Sequence, residues 1–136
     1  MKLLSLVFSF YNEEKNLNEL IDRVSEAIKK LKDWDYELIF INDDSNDNSE
    51  KILAEKQNKY PIKIVNMSRR FGVGPCVLAG LELSKGNAVI YMDSDLQDPP
   101  ELIPKLIEKF NNGTDVVHTK RTKRLGESKI KMILTS

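Results

Sequence analysis

A single cysteine and a single histidine in 136 residues are too few for an internal disulfide or a Cys/His metal cluster, and the low cysteine count fits a reducing compartment. Cys76 reads as a small buried apolar residue. Excess charge of one sign is also lacking. The 21 Lys and Arg balance 21 Asp and Glu, which excludes the basic signature of a nucleic-acid binder. No apolar run approaches the roughly 20 residues that cross a bilayer. Met1 to Phe8 begins like a signal peptide, but Glu13 and Glu14 follow with no small-residue cleavage site, so the stretch reads as a buried strand. Repeats, low-complexity tracts and interdomain linkers are missing as well, and the length suits one domain over 1–136.

What is present is an alternation of two periods. Strand-like apolar runs at Leu3 to Phe10, Tyr36 to Ile41, Ile62 to Asn66, Asn87 to Met92 and Asp115 to Thr119 alternate with amphipathic stretches. That is the pattern of an α/β fold, a mostly parallel sheet flanked by helices. Leu17, Leu20, Ile21, Val24, Ala27, Ile28 and Leu31 make one apolar stripe, the core face of a first helix. A second helix is expected from about Asn48 to Lys59, with Asp and Ser caps at its start and Tyr60-Pro61 at its stop. A third opens near Gly74-Pro75 and ends around Lys85-Gly86 with glycine as its cap, and a fourth runs from Pro99-Pro100-Glu101 to Asn112-Gly113. After a basic run at Lys120 to Arg124, Gly126-Glu127-Ser128 should open a last helix with Ile130, Ile133 and Leu134 on one side. That helix would stop in mid-course at Ser136, as at the truncated carboxyl end of a longer protein. Its bare apolar side would favour a homo-oligomer.

The most informative segment is Met92-Asp93-Ser94-Asp95-Leu96-Gln97-Asp98-Pro99-Pro100, where three acids and an amide gather as an apolar strand runs out. Asp93 and Asp95 project the same way from an extended chain, and Gln97 repeats the spacing if the chain stays extended. Such oxygen ligands suit Mg²⁺ or Mn²⁺ shared with nucleotide phosphates; the plain alternative is an acidic turn closed by Pro-Pro. Polar loops follow the earlier strands too, at Ser9 to Glu14, Asn42 to Asp47 and Ser68 to Gly72. In a parallel sheet these all lie at one edge, where ligands bind. Tyr11 offers a flat face for a base, Asp43 an acceptor for ring N–H, and the later acids a metal for phosphates. Tyr11 as a packing residue and Asp43 to Asp47 as turn or capping residues are the structural alternatives. The basic run at 120–124 is a solvated loop by default, or an anion clamp if it lies on that same edge.

With those residues in place, the chain resembles the family 2 glycosyltransferases of GT-A fold, and in particular the branch of polyprenyl- and dolichyl-phosphate glycosyltransferases. Five motifs in order carry the likeness: Tyr11-Asn12-Glu13-Glu14 with Asn16-Leu17, Asp43 through Ser49, Ser68-Arg69-Arg70-Phe71-Gly72 with Ala79-Gly80-Leu81, Met92 through Pro104, and Arg121 with Arg124-Leu125-Gly126-Glu127-Ser128. The resemblance implies that Tyr11 and Asp43 hold the base and that Ser9 and Glu13 line the nucleoside pocket. It further implies that Asp93, Asp95 and Gln97 hold the metal and diphosphate in a DxD-type motif, with Asp95 the surest ligand. Arg121 would meet the acceptor or donor phosphate, and Lys131 and Thr135 would contact the lipid phosphate. Ser9 stands where proline is usual, Asn42 where an acid is frequent, Asp44 where glycine is frequent and Val73 where a basic residue is common, departures that bear on base contacts and donor preference.

The activity so implied is inverting, metal-dependent hexosyl transfer from a nucleotide-diphosphate sugar, UDP-linked in preference to GDP-linked, to a polyprenyl phosphate. The setting would be the cytoplasmic, inner face of the cell membrane, reached through segments beyond this chain. The alternatives are a soluble family 2 enzyme that extends a saccharide and a piece that only binds nucleotide and metal. A sugar nucleotidyltransferase should carry a Gly-rich loop where Ser9-Phe10-Tyr11-Asn12 stands, and a receiver domain should carry its acid pair after the first strand rather than the second.

Overall fold

A computed structural model of the chain describes residues 1–118 and 131–134. Its elements are β1 (Lys2–Phe10), α1 (Leu17–Ile28), β2 (Trp34–Asn42), α2 (Ser49–Lys56), β3 (Ile62–Asn66), α3 (Val73–Leu83), β4 (Ala88–Asp93), a 3₁₀ turn at Pro100–Leu102, α4 (Ile103–Asn111), β5 (Val116–His118) and β6 (Lys131–Leu134). They form one sheet in the order β3-β2-β1-β4-β6-β5. The first four strands are mutually parallel, as expected, and β6 runs antiparallel to both β4 and β5.

Alternation along β1 sets the two faces. Leu4, Leu6, Phe8 and Phe10 enter the larger core with Leu20 and Ile21 of α1, Leu53 of α2 and Leu106 of α4. Phe8 and Phe40 stack there with ring centroids 4.7 Å apart. Val7 faces the other way, joining Ile39, Ile41, Val89, Tyr91 and Cys76 of α3 in a thinner layer. Helix α3 sits close to the sheet because Gly80 has no side chain; a Cβ there would collide with Val7 Cγ1.

Two expectations are corrected. Gly86 does not cap α3, whose end is Ser84 in extended conformation. Gly86 instead donates its N–H to Ser5 Oγ at 2.8 Å, where a Cβ would come within 2.7 Å of Ser5 N and Ala88 O. The expected last helix is also replaced where it is described. Residues 131–134 form β6, with Ile133 opposite Val89 and Leu134 opposite Ala88. A short apolar run carries no period that distinguishes strand from helix, and a vacancy beside β4 decides it. The bare helical face on which a homo-oligomer was expected therefore loses its basis.

Candidate active-site cleft

Strand order reverses between β1 and β4, and a cleft of about 340 Å³ lies at their carboxyl ends. Ligands of doubly wound sheets bind at such a reversal, beyond the carboxyl ends of the strands. Ser9, Tyr11, Glu13, Asp43, Asp93 and Asp95 all line it, together with Arg70, Gly72, Val73, Phe10 and Ser94. Six expected site residues thus converge from three separate loops. Gln97 does not line the cleft. The chain leaves its extended path at once, with Leu96 at φ 65° and the Gln97 N–H donated to Asp95 Oδ1 at 3.1 Å, so the two-residue spacing holds for Asp93 and Asp95 and ends there. Lys131 lies in β6 opposite Tyr91; Arg121 and Thr135 lie outside the described residues.

On the first side of the cleft, much of the motif chemistry is spent in holding loops together. Asn12 and Asn46 bond reciprocally: Asn12 Nδ2 donates to Asn46 Oδ1 at 2.8 Å, and the Asn46 N–H donates to Asn12 Oδ1 at 2.9 Å. The Asn12 N–H meets Ser45 Oγ, the Glu13 N–H meets Ser49 Oγ, and Glu14 accepts from the Asn48 N–H. Asp47 receives the N–H groups of Glu14 and Ser49. Burial alone would raise its pKa, but those bonds and the Ser49 hydroxyl outweigh it and hold the carboxyl below its ordinary range. The Asn48 side chain makes no capping bond to α2; Asp47 accepts the Ser49 N–H instead, and Glu14 of the neighbouring loop accepts the Asn48 N–H. Asn42 joins β2 to β3 through Asn66 at 3.0 Å. Asp44 adopts φ 63°, a conformation open to glycine and tolerated by Asp.

Asp43 is buried, and its two carboxylate oxygens take the N–H groups of Phe71 and Gly72 at 2.7 and 3.0 Å. It therefore pins the loop that leads into α3. Burial first, then the nearby Asp43 carboxylate, push the Cys76 thiol up to about 11. Arg70 is a site residue without an expected role: its guanidinium lies 3.6 Å from the centroid of the Tyr11 ring, with Nε 3.8 Å from Asp43. Its place in the polar loop after β3 was the available signal. Its stacking depends on how that loop folds back.

The acidic side is built from β4. Ser94 turns inward, its hydroxyl donating to the Ser9 carbonyl at 3.0 Å, which leaves its neighbours Asp93 and Asp95 on the cleft. Buried Asp98 accepts the Asp93 N–H at 3.4 Å. Tyr91 is a second residue without an expected role. Its phenol donates to Asp93 Oδ1 at 2.8 Å, and burial raises its pKa strongly.

No group of three His, Cys, Asp or Glu side chains able to hold a metal occurs among the described residues. A Mg²⁺-type ion needs fewer, because it keeps waters and binds through one or two carboxylates plus substrate phosphates. Asp93 and Asp95 meet that requirement. Among the described residues, Glu13, Asp43, Asp93 and Asp95 face one cation, Arg70, in the cleft. Acidic walls of this kind favour a diphosphate that arrives with a cation.

Residues 5–135 match the family described as glycosyl transferase family 2, and the chain belongs to that family. It is 46% identical over 129 residues to an uncharacterized glycosyltransferase of Synechocystis, across 94% of this chain and 40% of that protein. Over 124 residues it is 40% identical to an undecaprenyl-phosphate 4-deoxy-4-formamido-L-arabinose transferase of Proteus mirabilis, covering 89% and 37% of the two chains. Over 113 residues it is 38% identical to a dolichol-phosphate mannosyltransferase of Pyrococcus furiosus, covering 83% and 31%. Among solved structures, Mycobacterium tuberculosis glucosyl-3-phosphoglycerate synthase in complex with Mn²⁺, UDP and glucosyl-3-phosphoglycerate superposes with a TM-score of 0.70 at 25% identity, over 92% of this chain and 45% of that one. The fold is that of the GT-A glycosyltransferases. The chain spans about two fifths of the length of the first curated relatives it matches.

Proposed function

We propose that this chain forms the donor-binding part of an inverting glycosyltransferase that moves a sugar from a nucleotide diphosphate to a polyprenyl phosphate at the cytoplasmic face of the cell membrane. The observation that carries the reading is the division of one cleft between Tyr11 with Asp43 and Asp93 with Asp95. A base suits the first pair and a metal-bridged diphosphate the second, with Ser9 and Glu13 along the nucleoside between them. Asp95 is the principal proposed ligand, with Asp93 beside it. Bound Mg²⁺ or Mn²⁺ would supply Lewis-acid stabilisation of the departing diphosphate. A donor of the UDP type is favoured by the likeness of Arg124 to Ser128 to bacterial polyprenyl-phosphate glucosyl-type enzymes.

Two relatives are named for acceptors that are lipid phosphates, and this supports the acceptor half of the proposal. Such a phosphate is already anionic near neutral pH. Its oxygen can form the new bond to the anomeric carbon from the face opposite the departing diphosphate without a protein base, so the protein's work is positioning and charge compensation. Arg121, Lys131 and Thr135 are proposed for that phosphate. The test is incubation of the membrane-extracted protein that carries this chain with labelled UDP- or GDP-sugars, Mn²⁺ and undecaprenyl phosphate. Label in the lipid extract is the expected result. Label that enters only a water-soluble saccharide contradicts the acceptor half and favours the saccharide-extending alternative.

A further inference from the structure

We infer that Tyr91, backed by Ser9, is a positioning residue that fixes the Asp93 carboxylate for the metal and diphosphate of the donor; the inference rests on the reading of the cleft given above. Val89, Tyr91 and Asp93 alternate onto one face of β4, and Ser9 lies directly opposite Asp93 in the parallel pairing with β1. The Tyr91 hydroxyl therefore reaches along its own strand to Asp93 Oδ1 at 2.8 Å and across to Ser9 Oγ at 3.0 Å.

Proton counting gives this chain of groups one direction. An ionised carboxylate accepts only, so the phenol must donate to Asp93. With its single proton spent, the phenol oxygen receives the proton of Ser9. Ser9 is nine-tenths buried and Tyr91 slightly more so, so neither hydroxyl is readily diverted to water. A hydrogen bond to an ionised acceptor is among the stronger kinds, and it limits the rotation of a carboxylate that must meet a geometry-demanding ion. A phenol buried only for packing needs a partner of any sort. Here the partner is an acid on the cleft wall.

The test is calorimetric titration of the protein, Tyr91→Phe and Ser9→Ala with UDP, each in the presence and absence of Mn²⁺. Loss of an outer-shell partner typically weakens a metal complex by about 10- to 100-fold. Tyr91→Phe should therefore weaken Mn²⁺-dependent UDP binding by about 10-fold with metal-free binding unchanged, and Ser9→Ala, whose side chain also borders the proposed nucleoside, should lower the ratio of affinities with and without Mn²⁺ by less. Equal affinity of Tyr91→Phe and the parent overturns the inference and leaves the proposed function standing. Equal weakening with and without metal marks a packing role and also overturns it. No metal-dependent binding by the parent removes the proposed function and this inference together. If Tyr91→Phe does not fold, Ser9→Ala decides by the ratio of its UDP affinities with and without Mn²⁺: a ratio below the parent's supports the inference and an unchanged ratio overturns it.

Discussion

Two serines four residues apart on the same face of β1 each meet an acid-bearing neighbour, and the two ends of the sheet use that arrangement differently. At the amino end, Ser5 Oγ donates to buried Glu37 Oε1 at 2.6 Å, Lys63 Nζ lies 2.8 Å from Oε2, and the Lys85 N–H completes the shell at 2.9 Å. At the carboxyl end, Ser9 reaches Asp93 through Tyr91, and Asp93 faces a cleft. Glu37 is closed in by its own chain and belongs to architecture. Asp93 is held by Tyr91 and lines a cleft, the position from which a ligand can be met. Glu37 is buried and Asp93 half-buried, but hydrogen bonding is common to both and does not mark a functional acid; the cleft does.

The sharpest way to break this contrast is Asp95→Ala. Metal-dependent nucleotide affinity should fall by more than about 100-fold, beyond the usual effect of an outer-shell change, with cooperative unfolding retained. Titration and thermal denaturation together check both halves. Glu37→Ala should do the reverse. It leaves Ser5, Lys63 and the Lys85 N–H without their shared acceptor, and removing one side of a buried polar contact costs about 1–3 kcal/mol. Chemical denaturation should show that loss while UDP affinity changes less than about twofold.

The pH dependence of stability sharpens the same point. Burial alone would raise the Glu37 pKa, but hydrogen bonds from Lys63, Ser5 and the Lys85 N–H outweigh it and hold it below its ordinary value of 4.5. A depressed folded-state value means that the stability it contributes is present above pH 4.5 and is lost as pH falls through the lower folded value. The stability gap between the parent and Glu37→Gln should accordingly narrow on acidification below that point. A gap that stays constant would remove the charge from the account. The smallest expected effect is on the loop latch: Asn12→Gly keeps the positive φ of 52° accessible but removes both side-chain bonds to Asn46. Loss of these two exposed bonds, about 0.5 kcal/mol each at the low end for a hydrogen bond, should lower stability by about 1 kcal/mol in chemical denaturation.

The parts of this fold that could be read from sequence are those with a long period. The stripe from Leu17 to Ile28 and the apolar runs of β1, β2 and β4 carry their structure in their spacing. Residues 131–134 do not, because their strand state depends on β4 and β5 lying on either side. Gly86 looked like a helix cap because the approach of Ser5 is a tertiary fact. In the cleft, Tyr11, Asp43, Asp93 and Asp95 were legible as polar residues where apolar strands end. Tyr91 sits inside such a strand and reads as core, and Arg70 gains its place only when its loop folds back over Tyr11. The residues that face a ligand were thus easier to see than those that position them.

The most direct test of the central claim is titration of the protein with UDP and with GDP, each with and without Mn²⁺. The account predicts that one nucleotide, UDP in preference, binds in a manner that requires the metal and is lost in Asp95→Ala. Binding that ignores both the metal and Asp95, or no binding by a folded protein, would contradict it.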